Sequence, residues 1–236
     1  MTRTIPAKGP VIFGKNGNGG VGKTEVIATL VHLMQVRGHP LYVIDADNDH
    51  QDIHKALGSE VPSSLISLLK EHGFSRLGEL AQDPAIAGPI LVSAPGGAIE
   101  TFIENVGVVQ AVAAEAGRET FVVWPMDTTK DSFIHLQDVI DALGQERIWV
   151  LRNLIHGSVE EFRSFNSSQI GTRLIGEGRV LNFPVISRAI VSAFRDNRMS
   201  HARMAAEGGV ELQMRLPLMR RKVERALEPM LAEFGL

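Results

Sequence analysis

The chain has 236 residues, 44% of them hydrophobic, and a formal net charge of −3. This length can bury one substantial core, so we expect a single domain at residues 10–236 behind a flexible tail of residues 1–9. The lack of cysteine excludes disulfides and thiolate chemistry, and no apolar run approaches membrane-spanning length, which predicts a cytoplasmic protein.

The first predicted strand, Val11 to Gly14, leads into the most informative motif of the chain. The pattern G-x-x-x-x-G-K-[ST] is satisfied by Gly17-Asn18-Gly19-Gly20-Val21-Gly22-Lys23-Thr24. Its glycines let backbone N–H groups turn inward around an anion, and the start of the next helix adds its positive dipole end. Lys23 is predicted to reach the β- and γ-phosphates of a nucleotide, and the Thr24 hydroxyl to ligate Mg²⁺.

A helix is predicted to follow from Lys23 to Arg37, with one apolar face. A strand before the motif and a helix after it form the context that a phosphate-binding loop requires, and they disfavour a chance glycine-rich turn. We therefore predict that residues 17–25, including Glu25 in the first helical turn, bind the nucleotide.

The second predicted strand, Leu41 to Ile44, runs into the acidic stretch Asp45-Ala46-Asp47-Asn48-Asp49-His50. Asp45 and Asp47 have the same parity along an extended chain, so both could point toward the phosphate loop. Carboxylates there would hold the water shell of Mg²⁺ or orient an attacking water. The alternative is a solvated loop in which these side chains make turn hydrogen bonds. The phosphate loop nearby favours the functional interpretation.

The rest of the chain alternates apolar runs with segments of helical period. Further strands are predicted at Ile90 to Ser93, Thr120 to Trp124, Ile148 to Leu151 and Val180 to Phe183. Further helices are predicted at Ser63 to Glu71, Ile99 to Ala116, Ser132 to Leu143 and Val159 to Thr172. The strands lack polar alternation, which is typical of strands covered on both faces. This order predicts an α/β fold of three layers, with a mostly parallel central sheet between helices.

The motifs resemble the deviant Walker motif ATPases of the ParA/MinD type. The phosphate loop and the D-x-D stretch carry the resemblance, and weaker matches are Ile90 to Gly97 as Walker B strand and turn, Arg152-Asn153 and Phe183-Pro184. The resemblance implies a P-loop NTPase fold, ATP or ADP with Mg²⁺, and an ATP-dependent homodimer. It also implies that Asn153 reads adenine and that Pro184 lies beside the base.

By its compact size the chain is most similar to plasmid stability and conjugal mobilisation proteins of the StbB, TraL and MobD kind. This resemblance implies a task in plasmid partition, conjugal transfer or the positioning of a large cargo. A cargo or activator protein would then be a further partner, which the sequence does not identify.

Two positions depart from the family pattern. The family's distinguishing lysine, expected to touch the phosphates of a dimer partner, is replaced by Asn18, a shorter and neutral donor. Lys15 lies three residues earlier and is the candidate to replace it in catalysis. Ser93 stands where the Walker B acid is expected. These changes favour ATP binding with slow hydrolysis, with Asp47 positioning water, and leave open a scaffold that binds nucleotide without turnover.

The C-terminal part of the chain carries a local excess of positive charge. From Arg188 to Arg225 there are nine Lys or Arg and four acids, and therefore a charge of +5. This stretch could bind DNA phosphates non-specifically, and an ordinary solvated helix face is the equally weighted alternative. Met219 to Leu236 is predicted to be an amphipathic helix. Its acidic residues would be repelled by anionic lipids, so we expect it to dock on the core and not on a membrane.

Overall fold

A computed structural model describes residues 8–47 and 51–236 of the chain. Its strands are β1 (Val11–Gly14), β2 (Tyr42–Asp45), β3 (Ser63–Leu65), β4 (Ile90–Ser93), β5 (Thr120–Met126), β6 (Ile148–Asn153) and β7 (Val180–Phe183). They form one sheet in the order β3-β2-β4-β1-β5-β6-β7. All neighbouring strands are parallel. The carboxyl ends of all the strands therefore lie at one edge of the sheet, where ligands of open α/β sheets bind.

Helices cover both faces of the sheet. They are α1 (Lys23–Val36), α2 (Asp52–Leu57), α3 (Glu71–Gln82), α4 (Ile99–Glu115), α5 (Leu136–Leu143), α6 (Arg163–Asn166), α7 (Gln169–Gly176), α8 (Arg188–Arg195), α9 (His201–Glu207) and α10 (Val210–Glu233). One buried cluster joins the sheet to α1, α2 and α8 to α10, and a second joins its other face to α3 to α7. The predicted three-layer α/β fold is thus confirmed. No helix in the described part of the chain has the length and apolar character of a membrane span.

The helix predicted from Ser63 to Glu71 is wrong. Ser63–Leu65 forms the edge strand β3, which pairs with β2, and a helix begins only at Glu71. After the strand, Ile66 and Leu68 are buried whereas Leu65 is exposed. This two-residue alternation belongs to extended chain, and in so short a leucine-rich segment it is easily confused with a helical period.

Two other predicted helices are broken. Val159 to Thr172 consists of a 3₁₀ turn (Val159–Glu161), α6 and the first half of α7, because the Ser168 hydroxyl accepts the Gly171 N–H and starts a new helix. Ser132 to Leu143 consists of a 3₁₀ turn (Asp131–Phe133) followed by α5.

The C-terminal helix is longer than predicted. α10 begins at Val210, nine residues before Met219, and continues through Pro217. Its buried side chains, among them Val223 and Leu227, pack on the core as expected. Near the amino end of the described residues, Gly9 donates its N–H to the Ala87 carbonyl oxygen, and residues 1–7 of the predicted tail lie outside the described residues.

Two buried histidine side chains, His32 of α1 and His201 of α9, are in contact. The ring centroids of His32 and His201 are 5.2 Å apart, and both side chains are buried. Burial lowers the pKa of His32 to about 4, helped by Arg220 and opposed by Glu224. Burial lowers the pKa of His201 to about 3, helped by His32 and opposed by the carbonyl of Ala28. Both rings are therefore neutral in the folded protein at neutral pH.

The lowered pKa values of His32 and His201 predict that the folded state loses stability in acid. In the unfolded chain histidine titrates near about pH 6.5, so below that pH the unfolded state binds protons that the folded state does not. We expect the free energy of unfolding to fall as the pH drops from about 6.5 toward 4, by up to about 1.4 kcal/mol per pH unit for each ring. Denaturant titrations across this range should show a shallower decline for His32→Leu. His72→Gln, a change at an exposed histidine of α3, should match the parent. An undiminished slope in His32→Leu would contradict the assignment.

Candidate functional site

The predicted phosphate loop lies between β1 and α1 at the carboxyl edge of the sheet. Gly20 and Gly22 have φ angles of 76° and 100°, a left-handed conformation that favours glycine. A Cβ atom at Gly22 would lie 2.3 Å from Nδ2 of Asn153, so a larger residue has no room there. The loop is therefore folded as a phosphate-binding loop requires, with Gly19 and Gly20 exposed at its tip.

Three neighbouring segments hold this loop in place. Asn16 is fully buried, donates from Nδ2 to the carbonyl oxygens of Pro125 and Ser132, each at 2.8 Å, and accepts the Asn18 N–H at 2.8 Å. On the other side, Asn153 at the end of β6 donates from Nδ2 to the carbonyl oxygen of Val21 at 3.0 Å. Sequence reasoning missed Asn16 and Ser132, although a polar residue two positions after a buried strand was a usable signal for Asn16.

Lys15 completes the set of anchors. Its ammonium donates to the carbonyl oxygens of Pro95 and Gly97, at 2.6 and 2.8 Å, in the loop between β4 and α4. The side chain is buried, and this burial, together with the neighbouring Lys23, lowers its pKa to about 7. In this arrangement the Lys15 ammonium binds carbonyl oxygens of its own chain. To contact the phosphates of a partner subunit, it would have to break both hydrogen bonds.

The side chains predicted to handle phosphate lie close to Lys23. Its ammonium donates to the carbonyl oxygen of Asn18 across the loop. Burial lowers the pKa of Lys23 to about 8, and the charge of Asp47 opposes the shift, which shows that this carboxylate lies close by. Thr24 and Glu25 follow in the first turn of α1, both half-buried. The loop thus has a cation, a hydroxyl and a carboxylate beside it, and their roles toward a nucleotide stay predictions.

Asp45 has a different surrounding from the one predicted. It is buried at the end of β2, where Oδ1 accepts the N–H of Asp47 at 3.2 Å and Oδ2 accepts the N–H of His54 at 2.9 Å. Burial raises its pKa, against these hydrogen bonds. Both oxygens therefore accept backbone N–H groups in the turn into α2, and each retains a lone pair, so the role of Asp45 at a metal stays a prediction. Residues 48–50, the end of the acidic stretch, lie outside the described residues.

Ser93 is the last residue of β4, which lies between β1 and β2 in the sheet. It is buried, and its carbonyl oxygen accepts the N–H of Ala46 at 2.9 Å. Its register partners are Gly14 of β1 and Asp45 of β2. The serine thus occupies the central strand end predicted for the Walker B acid.

A cleft of about 470 Å³ opens beside the phosphate loop, a volume that suits a nucleoside. Its walls come from the loop, from the ends of β6 and β7, and from α1 and α8: Gly20, Glu25, Asn153, Ile155, His156, Phe183, Val185, Ile186, Ser187, Arg188 and Val191. Glu25 and Asn153 thus line the cleft, and their contact with a nucleotide stays a prediction. Pro184 does not itself line the cleft, whereas its neighbours Phe183 and Val185 do. The Asn153 amide donates one N–H to Val21 and its oxygen accepts the Ile155 N–H, so its second N–H is the donor that a base could use without a turn of the amide.

Comparisons with known proteins agree with this geometry. Residues 12–206 match the family model described as the CobQ/CobB/MinD/ParA nucleotide binding domain. The chain is 24% identical to Protein MobD of Acidithiobacillus ferrooxidans over 96% of its own length and 100% of that protein.

Solved structures show the same fold. The MinC:MinD cell division protein complex of Aquifex aeolicus is similar with a TM-score of 0.52 and 16% identity, over 90% of this chain and 94% of that one. A protein of Borrelia burgdorferi B31 named for plasmid partition, crystallised with AMPPNP, is similar with a TM-score of 0.50 and 14% identity, over 78% and 89%. At these identities the similarity establishes the arrangement of strands and helices only.

Proposed function

Because the chain belongs to the CobQ/CobB/MinD/ParA family of nucleotide-binding domains, we propose that it is an ATP-binding switch that dimerises with ATP and hydrolyses it slowly. One observation supports this proposal most strongly. The Lys23 ammonium donates to the Asn18 carbonyl oxygen inside a glycine loop, and hydrogen bonds of Lys15, Asn16 and Asn153 hold that loop in place. The adjoining cleft has room for a nucleoside.

Binding of the triphosphate would use groups that are already in place. Lys23 exchanges the Asn18 carbonyl for a phosphate oxygen, a stronger charge-assisted hydrogen bond. The backbone N–H groups of the loop and the start of α1 supply the remaining donors. Since Asn16, Lys15 and Asn153 already hold the loop, little conformational entropy is lost when the phosphates bind.

The side chains present are compatible with a Mg²⁺ ion that arrives with the nucleotide. Thr24 offers a hydroxyl at the start of α1, and Asp47 offers a carboxylate near Lys23. Within residues 8–47 and 51–236 no group of three or more His, Asp or Glu could hold a metal without the nucleotide. Mg²⁺, when bound, would neutralise charge on the phosphate oxygens, and Asp47 would orient the attacking water.

Slow turnover follows from the two departures at the loop. Asn18 cannot supply a positive charge to a partner's phosphates, and Lys15 donates to carbonyls of its own protomer. Ser93 offers no carboxylate to the metal's water shell. Charge that develops in the transition state is thus less neutralised than in the family pattern, which lowers the rate of hydrolysis.

Replacing Asp47 by alanine is expected to retain ATP binding but to lower turnover by at least about tenfold, because the water-orienting carboxylate is lost while the phosphate cradle remains. Calorimetry and single-turnover hydrolysis on the same preparations measure both quantities. Asp83→Ala, at the opposite edge of the sheet before β4, is the matched control and should behave as the parent.

Two results would change the proposal. Parental turnover in Asp47→Ala would assign water positioning to another residue. No hydrolysis by the parent, with ATP bound, would favour the second candidate function: a scaffold that binds ATP or ADP without turnover. The absence of a carboxylate at Ser93 supports that candidate.

For its biological task we propose partition, conjugal transfer or positioning of a large cargo in the cytoplasm, where ATP is available, with a cargo or activator protein as partner. The similarity to Protein MobD and to the Borrelia protein supports this assignment. Support for non-specific DNA binding through Arg188 to Arg225 is weaker. Four of its nine basic residues, Arg195, Arg198, Arg203 and Arg215, form ion pairs with carboxylates of the same chain.

A further inference from the structure

An apolar stripe runs along the exposed face of the first half of α10. Val210, Met214 and Leu218 are 73%, 66% and 57% exposed. Their spacing of four residues places them on one side of the helix. Leu216 and Met219 lie on the opposite side and pack into the core. The fold thus docks one face of α10 and leaves large side chains of the other face in solvent.

We propose that this stripe is the contact surface for α10 of a second copy of the chain, in antiparallel orientation about a two-fold axis. Adjacent exposed large apolar side chains on a helix indicate an interaction surface more often than single ones do. A two-fold axis near Leu216 and Pro217 places Met214 of each copy against Leu218 of the other. Met214 and Leu218 are then buried against their counterparts, and Val210 lies at the end of the contact, level with Lys222 of the other copy.

Charge supports the antiparallel arrangement. Glu211 precedes Lys222 by eleven residues, which is about three turns, or about 16 Å along the same side of the helix. The midpoint of these two residues coincides with that of Met214 and Leu218, so the same axis places Glu211 of each copy against Lys222 of the other. A parallel pair in register would place each charge against its like.

Other occupants fit this face less well. DNA would bring its phosphates against three apolar side chains, and the phosphates would lose water without gaining a hydrogen-bond donor. An anionic lipid surface would attract Lys222 but repel Glu211 in the first turn of α10 and Glu207 at the end of α9. In the second copy both the apolar and the charged residues find partners.

This surface is separate from the nucleotide site. α10 packs on the α1 side of the sheet, whereas the phosphate loop lies at the carboxyl edge of the strands. The inference therefore goes beyond the proposed ATP-dependent dimer and does not rest on it. A chain with two different two-fold contacts can link more than two copies, as a closed ring or an open chain.

Sedimentation equilibrium of the purified chain without nucleotide tests the proposal. So short an apolar contact should give a weak dimer, half associated at about 10–100 μM. Met214→Glu and Leu218→Glu should each weaken association by at least about tenfold, because a carboxylate would be buried in the contact. Val108→Glu, a change at a residue 62% exposed on α4, is the matched control and should associate as the parent does.

A charge exchange tests the orientation. Glu211→Lys and Lys222→Glu should each weaken the dimer, and the double variant should restore it, since opposite charges again meet across the axis. The double variant still lacks the Glu211–Arg215 ion pair within the helix, so restored association would not depend on that pair. If the double variant associates no more strongly than the single variants, the antiparallel pairing is overturned.

Three further outcomes would overturn the proposal. One is a parent that stays monomeric at all concentrations. A second is association that requires ATP and disappears in Lys23→Ala, which would assign the dimer to the nucleotide site. The third is unchanged sedimentation of Met214→Glu together with weaker binding to a 30-base-pair duplex or to phosphatidylglycerol vesicles. Association that persists in Lys23→Ala separates this proposal from the fate of the proposed function.

Discussion

Replacing Lys23 by alanine is expected to weaken ATP binding by about 100-fold, or about 2.7 kcal/mol. Lys23 is the charged group of the loop that already points across it, and its ammonium exchanges a carbonyl for phosphate oxygens. The backbone cradle remains in the variant, so the fold should be kept while the central charge is lost. Isothermal calorimetry with ATP measures the effect.

The pH dependence of binding identifies the same group. Since the pKa of Lys23 is lowered to about 8, its ammonium is lost above that pH in the free protein. Parental affinity for ATP should therefore decline by up to about tenfold per pH unit above pH 8, and the affinity of Lys23→Ala should not follow it. Lys70→Ala, at an exposed lysine before α3, is the control. Unchanged affinity in Lys23→Ala would remove the assignment of the phosphate loop.

The second large effect is expected at Arg118, far from the nucleotide site. Its guanidinium is buried and donates to four carbonyl oxygens: from Nε to Ala81 at 2.8 Å, from one terminal nitrogen to Gly9 at 2.5 Å and Gly88 at 2.8 Å, and from the other to Ile86. These carbonyls belong to the segment before β1, to α3 and to the loop before β4. Burial lowers the pKa of the guanidinium. One side chain thus joins three segments at the amino edge of the sheet.

Arg118→Ala should lower the free energy of unfolding by about 3–5 kcal/mol, because four buried acceptors lose their donor and a cavity is left. Arg118→Lys keeps the charge but offers one nitrogen in place of three, so we expect an intermediate loss. Arg76→Ala, which removes an exposed ion pair with Glu79, should cost far less than Arg118→Ala, because solvent screens an exposed pair. Denaturant titration measures all three. A loss in Arg118→Ala no larger than in Arg76→Ala would show that water replaces the guanidinium.

Much of the fold could be read from local pattern. The six predicted strands are all present because continuous apolar runs are buried on both faces wherever they lie in a parallel sheet. β3 was missed because it is a three-residue edge strand, held by its pairing with β2 and not by apolar character of its own. The predicted helix from Val159 to Thr172 is divided at Ser168, whose hydroxyl caps the next helix. The hydrophobic period of a sequence does not show which hydroxyl will accept a backbone N–H.

At the site, the sequence by itself predicted a phosphate loop with roles for Lys23, Thr24 and Asp47, because glycine conformation and the charge of phosphate constrain residue types at fixed spacing. Only the tertiary structure decided what the other polar residues do. Lys15 donates to the loop after β4, Asn153 to Val21, and both oxygens of Asp45 accept backbone N–H groups. A buried polar side chain must satisfy its hydrogen bonds with whatever groups the fold brings within about 3 Å, and those groups are distant in sequence.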